Sequence, residues 1–185
     1  MKTIKIFLAS SNELKHDREQ FEIEINRKNK AWAKKEIFLH LEIWEDLSSR
    51  ISCTRSQDEY NKKIKDADLF VLLACNKVGM YTAEEFDTAF GAFKTTKKPF
   101  IFTWFKDPTT TPDPSLQVFK NKLAALGHFY ATYTDSNDLW NQFNKELERL
   151  EDADFKKNDI VTRTINQGKK SVYIENGGNI TLTVQ

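Results

Sequence analysis

The segment DLFVLLACNKVGMYTAEEFDTAFGAF, residues 68–93, decides the fold that the sequence predicts. Its continuous apolar run, residues 69–74, predicts a buried strand. The polar residues 75–81 predict a loop at the carboxyl end of that strand, and Thr82 then begins a helix. The apolar positions of this helix recur at helical spacing: Phe86, Ala89, Phe90 and Phe93.

Two adjacent carboxylates, Glu84 and Glu85, fall in the first turn of this predicted helix. An open α/β sheet binds its ligands outside the carboxyl ends of its strands, which is where this turn would lie. The sequence therefore predicts acid chemistry at the binding edge of the fold. A structural alternative is open, because Thr82 and Glu85 also fit a capping box, in which Glu85 bonds the backbone amide of Thr82.

The rest of the chain repeats the alternation of short apolar runs with longer stretches of helical period. Five strands, each followed by a helix, predict an α/β fold with a parallel sheet. Right-handed crossovers favour a flavodoxin-like three-layer sandwich with strand order 2-1-3-4-5. Ser10 and Glu13 predict a capping box at the start of the first helix. The predicted strands cover residues 4–9, 37–44, 69–74, 99–104 and 128–133.

The composition changes near residue 154. Residues 1–153 are the predicted domain, and the polar residues 154–170, which show no clear period, are a predicted linker. Residues 171–185 alternate apolar and polar side chains around the sequence NGGN, which predicts a β-hairpin-like tail. A lone hairpin is marginally stable in water, so we expect the tail to pack on the domain or to hold copies of the chain together.

The overall composition limits the classes of partner. The chain has 185 residues and a formal net charge of +1, so no global field attracts it to nucleic acid or to an anionic membrane. No apolar run approaches the roughly 20 residues that a bilayer span needs. Its 2 cysteines, Cys53 and Cys75, form no disulfide framework. We therefore expect a cytoplasmic protein without direct contact to nucleic acid or membrane.

Several cofactor motifs are missing from the sequence. It contains neither the G-x-G-x-x-G fingerprint of dinucleotide-binding folds nor a phosphate-binding G-x-x-x-x-G-K-[ST] loop. The 3 histidines are scattered without ligand spacing, so structural roles are the expectation for each. We predict no metal site and no resident cofactor.

Polar and aromatic side chains near the predicted strand ends complete a candidate site. A carboxylate can stabilise the positive charge that develops when a glycosidic bond breaks. An aromatic ring can stack on a departing base, and an arginine can hold a phosphate. Structural alternatives are open for two of these residues: Trp44 can lie at the edge of the core, and the side chain of Arg55 can be solvated. The predicted substrate-binding residues are Ser10, Ser11, Trp44, Asp46, Arg55, Asn76 and Tyr81.

Three segments together resemble bacterial Toll/interleukin-1 receptor (TIR) domains of antiphage-defence effectors: residues 5–18, 43–90 and 97–107. The resemblance implies a flavodoxin-like fold and cleavage of NAD+ into nicotinamide and ADP-ribose or a cyclic isomer, with NAD+ as substrate rather than cofactor. The family's catalytic glutamate precedes an apolar residue and lies four residues before a small one. Glu85, followed by Phe86 and Ala89, matches this pattern, and Glu84 is the second choice. Residues 45–55 match a loop that packs neighbouring copies, which implies a homo-oligomer.

Two other functions stay open at this point. Nucleoside 2-deoxyribosyltransferases share the type of sheet and place a glutamate in a comparable helix, ahead of a strand that begins with Lys-Pro, as Lys98 and Pro99 do here. A nucleosidase acting on free nucleosides is therefore the enzymatic alternative. A TIR scaffold without catalytic activity, which works only by assembly, is the other.

Overall fold

The computed structural model describes residues 1–43, 56–108 and 110–155. The chain divides into two compact units, Met1–Glu146 and Leu147–Gln185. In the second unit the described residues form the end of a helix and a π-helical turn, Glu151–Phe155. The predicted linker, apart from its first two residues, and the predicted tail, residues 171–185, lie outside the described residues. Their roles stay predictions.

The first unit is built on a five-stranded parallel sheet with the strand order 2-1-3-4-5, numbered along the chain. This order confirms the predicted flavodoxin-like α/β fold. The strands follow the sequence pattern because short runs of β-branched, leucine and aromatic residues alternate with helical stretches. Their bounds are β1 (Lys2–Ser10), β2 (Ile37–Glu42), β3 (Leu69–Ala74), β4 (Phe100–Lys106) and β5 (Ala131–Tyr133).

In the part of the chain that the structure describes, five α-helices connect and follow the strands. Asp113 caps one of them, because its side chain accepts a hydrogen bond from the Ser115 amide and a proline stands at the first helical position. A short 3-10 turn, Asn12–Leu14, precedes the first helix. The helices are α1 (Lys15–Trp32), α2 (Ser56–Lys65), α3 (Met80–Thr96), α4 (Pro114–Ala125) and α5 (Ser136–Leu150).

The last strand is shorter than residues 128–133, the range that the sequence predicts. His128 Nε2 lies 3.1 Å from Thr103 Oγ1, and the Tyr130 ring meets the Phe105 ring at 4.9 Å between centroids. His128 and Tyr130 thus contact residues of β4 through their side chains. Only Ala131–Tyr133 forms backbone pairs with β4. The second strand also ends early, at Glu42, and Trp44 lies outside the described residues.

Both faces of β3 are covered, and all six of its residues are buried. On one face, Phe86 of α3 and Phe119 of α4 pack with Phe70 and Leu72 in one apolar cluster. On the other face, aromatic rings join α1 and α5 to β4. The result is three layers, helices above and below a sheet, as the sequence predicts. The rings of the second face are Phe21, Phe102, Trp104, Trp140 and Phe143.

Replacing Leu72 with Ala tests how far the fold depends on this strand. Leu72 is fully buried at the centre of the sheet, so the substitution should lower the free energy of unfolding by about 2–5 kcal/mol. Val118→Ala on α4 is the matched control, because that side chain is 67% exposed, and it should change stability by less than about 0.5 kcal/mol. Urea denaturation measures both. Equal, small effects would show that β3 is not the centre of the core.

Candidate active site

Glu85 lies on α3 close to the carboxyl end of the strand that precedes this helix. Three residues before it is Thr82 and four residues after it is Ala89, and both are buried, so all three lie on one buried stripe of the helix. Glu85 itself is only 8% exposed. The helix therefore holds a carboxyl group beneath the surface, at the end of the sheet where α/β folds bind ligands.

The start of α3 rules out the capping-box interpretation. Gly79 is the N-cap residue, with an extended backbone (φ −69°, ψ 158°) and no side-chain cap, and the helix begins at Met80. Thr82 and Glu85 are therefore interior residues, and both are buried. Glu84 and Glu85 lie in the second turn of the helix rather than the first. The sequence misplaced the boundary because glycine is itself an accepted N-cap residue.

Burial dominates the electrostatics of Glu85. Removal from water, reinforced by the nearby charge of Glu84, raises the pKa of Glu85 to about 7. Both effects disfavour the ionised form. At neutral pH the side chain is therefore balanced between carboxylic acid and carboxylate. A group balanced in this way can accept or release a proton near neutral pH, as proton-transfer catalysts in enzymes do.

Glu84, the second choice from the sequence, has a different environment. Its Oε1 accepts a hydrogen bond of 3.3 Å from Asn61 Nδ2 on α2, and Asn61 Oδ1 accepts one of 3.2 Å from Thr88 Oγ1. Glu84 and Thr88 are one helical turn apart, so together they face α2. Glu84 thus contributes to the contact between the two helices, and its charge acts on Glu85.

Two large side chains project into solvent from the first turn of α3. Tyr81, a predicted substrate-binding residue, is 58% exposed, and its neighbour Met80, which the sequence did not single out, is 73% exposed. Tyr81 lies four residues, about one turn, before Glu85 and therefore on the same side of the helix, whereas Met80, five residues before, points to another side. The exposed ring of Tyr81 provides a surface on which a planar ring can stack.

Two other predicted binding residues, Ser10 and Ser11, take part in hydrogen bonds within the protein. Arg18 Nη1 donates to Ser10 Oγ at 2.7 Å and to the Ser11 carbonyl oxygen at 2.9 Å. Ser11 Oγ donates to Glu13 Oε1 at 3.1 Å. The guanidinium of Arg18 is buried, so these bonds fix the end of β1 from inside the fold.

Glu13 lies at the same end of the sheet, and its contact there was not predicted from the sequence. Its carboxylate accepts hydrogen bonds from the Asn76 backbone amide at 2.9 Å and from Asn76 Nδ2 at 3.1 Å. The predicted capping box between Ser10 and Glu13 is therefore wrong, because the carboxylate turns away from the start of α1 towards the loop after β3. Asn76, a predicted substrate-binding residue, is therefore a hydrogen-bond partner of Glu13.

A second polar group lies buried at the same end of the sheet. The Tyr133 hydroxyl has no hydrogen-bond partner among the described residues. Burial, followed by the charges of Asp17, Cys75 and Glu13, raises the pKa of Tyr133. Asp17 is itself buried and pairs with Lys106 Nζ at 3.0 Å. This group could not be predicted from the sequence, because its members come from five separate segments of the chain.

Three predicted substrate-binding residues lie outside the described part of the chain. Trp44, Asp46 and Arg55 lie in residues 44–55, so their part in the site stays a prediction. Within residues 1–43, 56–108 and 110–155, no three His, Cys, Asp or Glu side chains are grouped to hold a metal ion. In the same residues, no helix combines the length and the apolar character that a membrane crossing requires.

Comparisons with known proteins add little to this geometry. No protein-family model and no curated protein matches the chain. Among solved structures, the chain is similar to RosB with the bound intermediate 8-demethyl-8-formylriboflavin-5'-phosphate, at 10% sequence identity and a TM-score of 0.35, over 99% of this chain and 100% of that one. A similarity this low carries no argument about function, so the ligand of RosB is not carried over to this chain.

Tyr133→Phe tests whether the buried hydroxyl is truly without a partner. Burying a hydroxyl without a hydrogen bond costs about 1–3 kcal/mol, so removing it should leave the free energy of unfolding unchanged or raise it by about 1 kcal/mol. Chemical denaturation of the two proteins measures the difference. A loss of more than about 1 kcal/mol would instead mean that the hydroxyl makes a hydrogen bond in solution.

Glu85→Gln tests the buried carboxyl through the pH dependence of stability. Because folding raises its pKa from 4.5 to about 7, the native state binds more protons than the unfolded state between these values. The contribution of Glu85 to the stability of the wild type should therefore fall as pH rises from about 4.5 to 7, and level off above. Glu85→Gln should remove this fall and be more stable at pH 8, by on the order of 3 kcal/mol. Parallel pH profiles for both proteins would contradict the raised pKa.

Proposed function

We propose that this chain is an NAD+ glycohydrolase of the TIR type, which cleaves the bond between nicotinamide and ribose with Glu85 as the catalytic carboxylate. The observation that carries the proposal is the buried carboxyl of Glu85 at the binding edge of the sheet, beside the exposed Tyr81. The resemblance of residues 5–18, 43–90 and 97–107 to bacterial TIR domains gives the substrate class.

The chemistry of the substrate explains why a carboxylate is needed. The nicotinamide ring of NAD+ is already positively charged, so it departs as a neutral base and requires no proton donor. The bond between its ring nitrogen and the ribose carbon breaks, and positive charge develops on the ribose, as in other glycoside cleavages. An ionised Glu85 stabilises that charge. In hydrolysis, water then adds to the ribose carbon, and the carboxylate accepts the proton that the water releases.

The exposed surface beside the carboxyl group suits the leaving group. Tyr81 lies about one turn before Glu85 on the same helix and is accessible to solvent. A planar nicotinamide ring can stack on such a surface while its ribose faces the carboxylate. In this proposal Trp44, Asp46 and Arg55 border the same substrate, and copies of the chain assemble so that a neighbour completes the site. The biological setting that the resemblance favours is antiphage defence.

Incubation of the purified chain with NAD+, followed by chromatographic detection of nicotinamide, tests the proposal. Nicotinamide release should be abolished in Glu85→Gln and Glu85→Ala, whereas Asp87→Asn, on an exposed part of the same helix, should retain activity. Because the ionised carboxylate is the active form, kcat/KM should rise with pH and level off above about pH 7. A series of protein concentrations shows whether specific activity depends on assembly.

Two results of this experiment would replace the proposal. Release of free base from nucleosides, with NAD+ left intact, would assign the chain to the nucleosidases that resemble 2-deoxyribosyltransferases. Turnover of neither substrate at any protein concentration would favour the scaffold function. The reaction products of an active chain, analysed by mass spectrometry, distinguish linear from cyclic ADP-ribose.

A further inference from the structure

We propose that Glu13 is a positioning residue for this site, because its carboxylate fixes the loop between β3 and α3 and thereby the part of α3 that carries Glu85. The expected effect of Glu13 on catalysis rests on the proposed role of Glu85. The structural part of the inference, the placement of α3 by Glu13, is independent of that role. Glu13 lies in the 3-10 turn after β1 and is far from Glu85 in sequence.

The Glu13 carboxylate accepts hydrogen bonds from two chain segments. Its Oε1 accepts hydrogen bonds from the Asn76 backbone amide at 2.9 Å and from Ser11 Oγ at 3.1 Å. Its Oε2 accepts one from Asn76 Nδ2 at 3.1 Å. The Lys77 backbone amide also donates to the carboxylate. Hydrogen bonds to an ionised acceptor are roughly twice as strong as neutral ones. Because Glu13 is exposed and water weakens each bond, the contact depends on several bonds acting together.

The charge state of Glu13 agrees with this arrangement. Partial burial opposes its ionisation, but the hydrogen bonds from Asn76, Ser11 and Lys77 outweigh the effect of burial and lower the pKa of Glu13. The side chain is therefore ionised at neutral pH, and as a carboxylate it can only accept hydrogen bonds. All four of its contacts require an acceptor.

Asn76 connects the same loop to the segment that precedes α4. Its carbonyl oxygen accepts a hydrogen bond of 2.8 Å from the Asp113 amide, and its Oδ1 accepts one of 3.4 Å from the Thr110 amide. The Val78 amide donates to Ser115 Oγ at 3.3 Å. The loop after β3 is thus held on one side by Glu13 and on the other by the start of α4.

The connection from this contact to the proposed catalytic group is short. Only Lys77 and Val78 separate Asn76 from Gly79, the N-cap of α3. The Gly79 carbonyl oxygen accepts the first helical hydrogen bond, 3.0 Å from the Ala83 amide. A change at Asn76 therefore moves the first turn of the helix and, with it, the start of the buried stripe that contains Glu85. Displacement of a reacting group by about 1 Å can cost on the order of a hundredfold in rate.

Glu13→Gln is the test, with a second substitution as rescue. Glutamine keeps one oxygen for the Asn76 backbone amide, but its NH2 group then faces Asn76 Nδ2, so two donors oppose each other. In the double variant Glu13→Gln/Asn76→Asp, the new carboxylate accepts from that NH2 group and restores the pairing. Glu19→Gln on the exposed side of α1 is the matched control for loss of a charge.

Two measurements are made on the full chain. In NMR spectra, the amide signals of residues 80–85 should shift in Glu13→Gln and return towards their wild-type positions in the double variant. With NAD+, kcat of Glu13→Gln should fall by on the order of tenfold to a hundredfold, with a smaller change in KM, and recover in the double variant. If Glu13→Gln does not fold, Asn76→Ala takes its place: it removes the Nδ2 donor to Glu13 together with the Oδ1 acceptor of the Thr110 amide, and it should shift the same amide signals.

The proposal is overturned if the signals of residues 80–85 stay in place in Glu13→Gln, or if kcat is unaffected in an active enzyme. It is also overturned if the folded double variant recovers neither measurement, because loss of pairing would then not explain the defect. A wild-type chain without NAD+ turnover would remove the proposed function, and the NMR measurement would still decide whether Glu13 positions α3.

Discussion

The burial of β3 on both faces is the constraint on which the rest of the structure depends. A strand that exposes neither face to water needs helices above and below it, and parallel neighbours need crossover connections. The chain satisfies both needs by following each strand with a helix. After β3 only five residues separate Ala74 from Met80, the first residue of α3. This short connection places Glu85 at the edge of the sheet.

The same constraint explains how a carboxyl group becomes buried at all. Phe86 and Ala89 have no exposed surface and belong to the apolar cluster against the sheet. Burial of a phenylalanine side chain stabilises by about 1.5–3 kcal/mol. The cost of holding Glu85 out of water, with its pKa raised to about 7, is of similar size. The apolar residues of α3 can therefore offset the desolvation of the acid beside them.

The sequence predicted most of the fold because the fold depends on local patterns. The apolar run of β3 and the helical spacing of Phe86 and Ala89 are visible in short windows, and the strand order follows from handedness. Helix boundaries were less predictable, since Gly79 caps α3 with its backbone and no polar side chain marks that position. The strand order predicts that the loops after β1 and β3 meet at one edge of the sheet. The hydrogen bonds between Glu13 and Asn76 were not predicted, because the two residues are distant in sequence.

Two buried side chains at the start of α1 restrict the rotation of this helix about its axis. Asp17 and Arg18 are adjacent and both buried, yet they point to different partners. Arg18 holds the end of β1, while Asp17 accepts hydrogen bonds from Lys106 of β4 and from Ser136 at the start of α5. Successive residues of a helix point about 100° apart, so this division requires one rotational setting of α1. The junction between β1 and α1 should therefore keep a constant length among homologous chains, even where other surface loops gain or lose residues.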